Sequence, residues 1–501
     1  MNRKKKLLFN TITSLLYQLV SVVCGFILPS FFIRYYGSEV NGLVSSITQF
    51  LGFITLAELG VGAVIQSTLY RPLAEKDDKE ISKIIVSAER FFRKIAFVLV
   101  IYTTLLCFIY PIITLDSFNY LYTASLILVI SISSFAQYYF SISYRLLLAA
   151  DQLAFIQLGV QIITLILNTI FSVVLIKVGS SIQVVKLVTS IIFMIQPIML
   201  SIYVKKNYNL DKKIKFKGEP IKQKWNGVAQ HISSVILGNT DIVILTLFST
   251  LSNVSIYTVY YLVANGIKQL VVSSTSGIQA MFGNMYARKE KEQLDKSFSI
   301  MEWTLHFIVT FLFSCTGVLI VPFIKVYTLG IHDTNYDVPL FAILITLANA
   351  SYCLRLPYNI IVLAAGHYRE TQMSAILESI INIVLSIILV SKFGLIGVAI
   401  GTLVAMIYRT SYLVWYLSKN IIYRELKYYY KHLCIDILSA LIIFSLVRFI
   451  KFESITYYGW MFMATKVAVV SICVMIILNL IFYKRYTISI YNKVLKKIRV
   501  H

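Results

Sequence analysis

Within the long apolar runs of this 501-residue chain stand a few ionisable residues: Glu58, Asp241, Lys268, Arg355, Glu378 and Arg409, with His306 and Lys466 as weaker members. A charge inside a membrane-length run is expensive unless it meets water or an opposite charge, so each marks either a wet site or a partner. The Lys268 ammonium and the Arg355 and Arg409 guanidiniums can give charge-assisted hydrogen bonds to phosphate oxygens, Arg in bidentate fashion. The carboxylates of Glu58, Asp241 and Glu378 can take up a proton or a sodium ion. The competing reading is that these acids and bases pair to hold helices together. Lys466, close to the end of its run, can carry its charge out to the interface, and His306 reads as a packed histidine.

The elements that must position these residues are membrane-spanning helices. With 58% hydrophobic and only 14% charged residues, and a mean hydropathy of +0.77, the chain is no ordinary globular protein. Apolar stretches long enough to cross a hydrocarbon core of about 30 Å recur from end to end. They predict an all-α polytopic membrane protein of about 14 transmembrane helices at 8-34, 41-69, 84-114, 119-148, 153-177, 182-204, 226-249, 254-285, 298-325, 338-365, 370-391, 395-418, 432-451 and 459-483. Most of the 46 basic residues fall in loops at one set of alternate ends, which by the positive-inside rule puts both termini in the cytoplasm. Within the 41-69 span, Glu58, Gly62 and Gln66 at four-residue spacing place Glu58 on a polar stripe.

The chain also repeats itself at an offset of about 215. Asn10, Ser14, Gln18 and Gly25 align with Asn226, Gln230, Ser234 and Asp241, and Ser45, Gln49 and Gly52 align with Tyr261, Asn265 and Lys268. Leu148, Ala149 and Ala150 return as Leu363, Ala364 and Ala365, and Gly179 as Gly394. Two similar halves with matched polar faces are how many secondary transporters build a site. The expected division is a first six-helix lobe at 1-204, a basic cytoplasmic linker at 205-225 that is a hinge candidate, a second lobe at 226-418, and an extra helix pair with a basic tail at 419-501. Pro29, Pro322 and Pro357 are kink candidates. Trp225, Trp303, Trp415 and Trp460 fall near span ends, where interfacial anchoring accounts for them.

Other classes fit poorly. The net charge of +23 lies in short loops beside spans, so it reports topology and contact with anionic membrane lipid, with no nucleic-acid partner implied. The basic N-terminus followed by an apolar run is too long for a signal peptide and is read as the first span. Six cysteines inside spans show no paired spacing, so neither disulfides nor a metal site follow. No phosphate loop or other catalytic motif stands out, no cofactor is implied, and short external connections leave a membrane glycosyltransferase or polymerase no room for its groove. The chain is therefore read as a transporter, not an enzyme. Lys outnumbering Arg, with abundant Ile and Asn, fits an AT-rich bacterial genome, and the expected location is the bacterial cytoplasmic membrane.

The stretches YYGSEVNGL at 35-43, FITLAELGVGAVIQSTLYRPLAEKD at 53-77 and GNTDIVILTLFSTLSNVSIYTVYYLVANGIKQL at 238-270 resemble the polysaccharide-transport, Wzx-type flippase branch of the MOP superfamily. In that branch a Gly-x-x-x-x-Gly turn precedes the second span and an acidic-Leu-Gly motif lies inside it; here the acid is Glu58, where Asp is more usual. The resemblance implies a MATE-like fold of two pseudo-symmetric six-helix lobes plus the extra pair. It implies flipping of an undecaprenyl-pyrophosphate-linked oligosaccharide through a cavity between the lobes, for cell-surface polysaccharide assembly. Lys268, Arg355 and Arg409 would then meet the pyrophosphate, and amides such as Gln49 and Asn265 the sugars. Glu58, Asp241 or Glu378 would bind the H+ or Na+ that resets the cycle, and a polysaccharide polymerase and co-polymerase would be partners. A lipid II flippase and a MATE-type drug/cation antiporter share the architecture and stay open as alternatives.

Overall fold

The computed structural model describes residues 3–58, 60–214, 228–275 and 278–484, so most of the basic linker and the basic tail beyond Lys484, with Trp225, Asn226 and Glu58's neighbour at 59, lie outside the described residues. In order along the chain come α1 (Arg3–Tyr36), α2 (Ser38–Gly52), a 3-10 helix (Phe53–Glu58), α3 (Val61–Glu75), α4 (Asp78–Ile113), α5 (Tyr120–Phe140), α6 (Ile142–Ala150), α7 (Ala154–Lys177), α8 (Ile182–Phe193) and α9 (Ile195–Asn207). Then follow α10 (Val228–Phe248), α11 (Leu251–Ser274), α12 (Ile278–Ala287), α13 (Lys291–Tyr327), α14 (Pro339–Leu354), α15 (Leu356–Ala364), α16 (Tyr368–Phe393), α17 (Leu395–Asn420), α18 (Lys427–Val447) and α19 (Tyr457–Phe482). Among the described residues there is no strand.

These helices are apolar on their exposed as well as their buried faces, as lipid solvent requires. On α4 the residues Phe97, Ile101, Leu105, Phe108 and Ile112 are all more than half exposed, while Phe92, Ala96, Leu99, Thr103, Leu106 and Tyr110 are buried. Steps of three and four separate the two sets, which is one lipid stripe and one packing stripe on a single helix. Asp77 starts α4 by accepting from the backbone amides of Lys79 and Glu80 at 3.1 and 3.0 Å, satisfying donors the first turn leaves open.

Thirteen helical segments among the described residues are long and apolar enough to cross a membrane. The expected 254-285 span corresponds to α11 and α12; α11 has the length, but Asn265, Lys268, Gln269 and its tyrosines leave it less apolar than the others. The protein is thus a multi-pass membrane protein.

The 41-69 span is not one helix. After α2 the backbone tightens into the 3-10 helix, and Gly60 takes a left-handed conformation (φ 71°) before α3 begins. Glu58, Gly62 and Gln66 therefore do not form the continuous stripe that helical spacing implies. The freed carbonyl of Thr55 lies 2.8 Å from the His231 Nε2, one way in which a broken helix re-satisfies its backbone. Pro29 and Pro322, by contrast, lie inside unbroken helices, while Pro357 sits at the start of α15.

By contacts the chain divides into two compact units, 1–255 and 256–501. The boundary falls past the expected linker, because α10 packs on α2 and on the 3-10 helix. Interhelical bonds show why: the Tyr110 hydroxyl donates to Ser46 Oγ at 2.8 Å, Ser46 and Thr246 hydroxyls are 2.6 Å apart, and Asn41 Nδ2 donates to Ser255 Oγ at 2.8 Å. These bonds come from Asn41 and Ser46, beside the predicted Ser45, Gln49 and Gly52 stripe. At one end of the first unit Lys6 Nζ bonds Asp151 at 2.8 Å and the Tyr208 hydroxyl donates to the other Asp151 oxygen at 2.6 Å. Burial and that carboxylate push the Tyr208 phenol well above its usual range.

The repeat reappears as backbone conformation. Non-helical residues with positive φ at Lys76, Gln152 and Gly179 recur at Lys289, Gly366 and Gly394, at the sequence offset of about 215. The α5–α6 joint at Ser141 likewise recurs as the α14–α15 joint at Arg355.

Candidate functional site

In the second unit four of the expected residues come together. Arg355 occupies the joint between α14 and α15, where Pro357 contributes no backbone donor to the first turn of the new helix. Its guanidinium bonds Glu378 Oε1 on α16, and the Arg409 Nε on α17 lies 3.9 Å from the second oxygen of the same carboxylate. Arg409 also donates to the Thr371 carbonyl at 2.8 Å and to the Ser374 hydroxyl. All three side chains are at most 10% exposed, and α16 and α17 pack closely enough that Gly401 admits no Cβ beside Ser386. One carboxylate thus binds two guanidiniums.

Lys268 completes the cluster from α11. Its ammonium lies 5.3 Å from the Tyr261 ring centroid and 5.2 Å from that of Tyr352, while the Arg355 guanidinium lies 4.3 Å from the same Tyr352 ring. Both cations therefore share one aromatic residue, a favourable use of the ring quadrupole. Lys268 is half-buried, and among the described residues no carboxylate lies within ion-pair distance of it. Tyr261, Asn265 and Lys268 follow at i, i+4 and i+7, and the 3.4 Å approach of Lys268 Nζ to the Tyr261 hydroxyl shows that this stripe is a single face. Three cations against one acid leave the cluster with positive charge in excess.

The remaining expected residues lie in the first unit. Glu58, half-buried at the end of the 3-10 helix, accepts from the Tyr138 hydroxyl at 2.5 Å. Asp241 is buried on α10 at 4% exposure, and Gln49 is half-buried on α2.

Sequence reasoning missed a second polar cluster, centred on Glu302 of α13. Its Oε1 accepts from the Tyr358 hydroxyl at 2.5 Å, and its Oε2 lies 2.8 Å from Arg424 and 3.7 Å from His432. His306 is not simply packed: it lies 2.5 Å from the Asp436 carboxylate and stacks on His432. Trp303 is buried and donates to Asn479 at 2.9 Å, so it serves as an internal bond and not as the expected interfacial anchor. Glu302 stands a few residues inside its predicted span, where a carboxylate reads as interfacial. The signal that finds it is the repeat. In the first unit Glu89 lies against Tyr144 and 3.7 Å from Lys212, which also donates to the Tyr144 hydroxyl at 2.6 Å. Glu89, Tyr144 and Lys212 are the repeat partners of Glu302, Tyr358 and Arg424. Each clip ties the segment after a sixth span to a long third-span helix.

The structure titled "Lipid II flippase MurJ, inward closed conformation" aligns with a TM-score of 0.70 and 18% identity, over 95% of this chain and 99% of that one. An inward-facing multidrug resistance MATE family transporter of the MOP superfamily aligns at 0.56 and 14% identity, over 79% and 94%. The chain has the MurJ and MATE transporter fold. The Vibrio cholerae MATE transporter VcmN in its bent form aligns at 0.55 and 15% identity, over 84% and 96%. No protein-family profile matches the sequence, and no curated protein does.

Proposed function

We propose that this protein is a flippase that carries an undecaprenyl-pyrophosphate-linked oligosaccharide across the bacterial cytoplasmic membrane by alternating access, for assembly of a cell-surface polysaccharide. The observation that carries the reading is the surplus of cationic charge held by Lys268, Arg355 and Arg409 around Glu378. A cluster of that sign suits an anionic pyrophosphate and opposes an organic cation, which argues against a drug antiporter. Lys268 is the contact best placed for cargo, being half-buried and without a carboxylate partner among the described residues, with Arg355 held beside it by Tyr352. Gln49 and Asn265 supply amides for sugars. Glu378 is committed to two guanidiniums, so Glu58, reached by the Tyr138 hydroxyl, is a better place than Glu378 for a coupling H+ or Na+, and Asp241, buried on α10, is a further candidate.

A lipid II flippase is the second reading, favoured by the near-complete overlap with MurJ, which exceeds that with the MATE transporters. Both cargoes share the pyrophosphate and differ in the glycan. The deciding experiment is transport in vesicles reconstituted with the full chain, offered fluorescent undecaprenyl-pyrophosphate oligosaccharide, fluorescent lipid II or ethidium. Movement of the oligosaccharide, lost in Lys268→Ala, is the expected result. Movement of lipid II alone selects the second reading, and ethidium export without lipid flipping overturns both.

A further inference from the structure

The extra helix pair bounds a cavity that the cargo cluster does not use. Its volume is about 740 Å³, within the range of roughly 300–1,000 Å³ typical of small-ligand sites, and it opens where α18 begins and α19 ends, against the first turns of α13. Its floor is built: Tyr483 stacks on His432 at 4.9 Å and its hydroxyl is 2.7 Å from His432 Nδ1, both residues being buried.

The charges around it are Arg424, Glu425, Lys431, Lys484 and Asp295. Arg424 is neutralised by Glu302 at 2.8 Å, and Glu425 by Lys427 at 2.5 Å. Among the described residues Lys431 and Lys484 have no carboxylate within ion-pair distance; the Lys431 ammonium instead lies 5.0 Å from the Tyr483 ring centroid. Two uncompensated lysines face one uncompensated aspartate, Asp295. The cavity therefore favours an anion.

Its wall identifies the kind of anion. Ile481 and Phe482 line it and are 65% and 42% exposed, and one turn back along α19 Ile477 is 56% exposed. A charged recess thus runs directly into the lipid-facing stripe of a membrane-spanning helix. We propose that this cavity binds the headgroup of an anionic phospholipid, its phosphodiester between Lys431 and Lys484 and its acyl chains along Phe482, Ile481 and Ile477. The site is independent of the cargo proposed above. It would fix the depth of the extra helix pair in the leaflet it faces.

The test is lipid retention by the full-length protein in mild detergent, read by native mass spectrometry. The probes are palmitoyl-oleoyl phosphatidylglycerol, the phosphatidylcholine with the same chains, and inorganic phosphate. Each basic residue near an anionic headgroup is worth about a fivefold gain in occupancy, so Lys431→Gln with Lys484→Gln should lower phosphatidylglycerol binding roughly 25-fold and leave phosphatidylcholine unchanged. The Lys431→Arg, Lys484→Arg variant should retain it. In the wild-type protein, raised salt should weaken phosphatidylglycerol binding alone, a readout that stands even if the glutamine variant fails to fold. Equal retention of both lipids, or unchanged binding in the folded glutamine variant, overturns the proposal. Full displacement by millimolar phosphate reduces the site to a free-anion site and overturns the lipid assignment.

Discussion

Replacing Glu378 with Gln separates a structural clamp from a coupling-ion site. In the structure this carboxylate holds Arg355 and Arg409, and the three side chains are 3%, 10% and 5% exposed. Removing its charge strands two guanidiniums in a low-dielectric setting, for which breaking a buried pair costs about 3–5 kcal/mol. For a unit of this size each kcal/mol moves the midpoint by about 2–4 °C, so Glu378→Gln should lower the thermal midpoint by roughly 6–20 °C. Adding Arg409→Met removes one of the two stranded cations and should recover part of the loss. The assay is thermal unfolding of detergent-purified protein, followed by intrinsic tryptophan and tyrosine fluorescence, alongside export in cells. A Glu378→Gln protein with an unchanged midpoint and abolished export would refute the clamp and return Glu378 to the coupling candidates.

Lys268→Ala should behave oppositely: with no acid partner among the described residues, its loss forfeits about 0.5–2 kcal/mol of cation–π attraction while abolishing export, and a fall in export that merely tracks protein level would contradict this. The two clips should differ by burial. Glu302→Gln, at a site 2% exposed, should cost about 3–5 kcal/mol, and Glu89→Gln, whose partner Lys212 is 47% exposed, about 0–1 kcal/mol; equal shifts in the unfolding midpoint would defeat the comparison. Gly42→Ala places a Cβ 1.9 Å from the Leu251 carbonyl oxygen and so should destabilise the first unit by about 1–3 kcal/mol or more, measured the same way.

Much of this was legible because lipid is a simple solvent. Apolar length located thirteen of the spans among the described residues, and the repeat aligned Gly179 with Gly394, both of which take a positive φ. Intramembrane charge singled out Arg355, Glu378 and Arg409, although that both arginines meet the one Glu378 carboxylate depends on how α14 to α17 pack. The break in the second span was hidden, since Phe53-Ile54-Thr55-Leu56-Ala57 is as apolar as a helix requires and only Gly60 hints at the left-handed turn. Tyr352 gave no warning either: an aromatic residue in a span reads as lipid-facing bulk, and its service to two cations depends on the fold around the Arg355 joint. Glu302 escaped because a carboxylate a few residues inside a predicted span reads as interfacial, whereas it is buried against Tyr358, Arg424 and His432, all distant in sequence.

The helix pair that covers Glu302 bears on how such a chain can change over generations. His306 meets Asp436, Trp303 meets Asn479, and His432 lies beside Glu302, so α13 carries polar groups whose partners lie partly on the added helices. Excising the pair would strip His306 and Trp303 of these partners and leave their polar atoms unmatched in an apolar setting, so a chain without it would need replacements on α13 as well. The pair and α13 are thereby tied together: a substitution on either side of these bonds has to keep its partner matched.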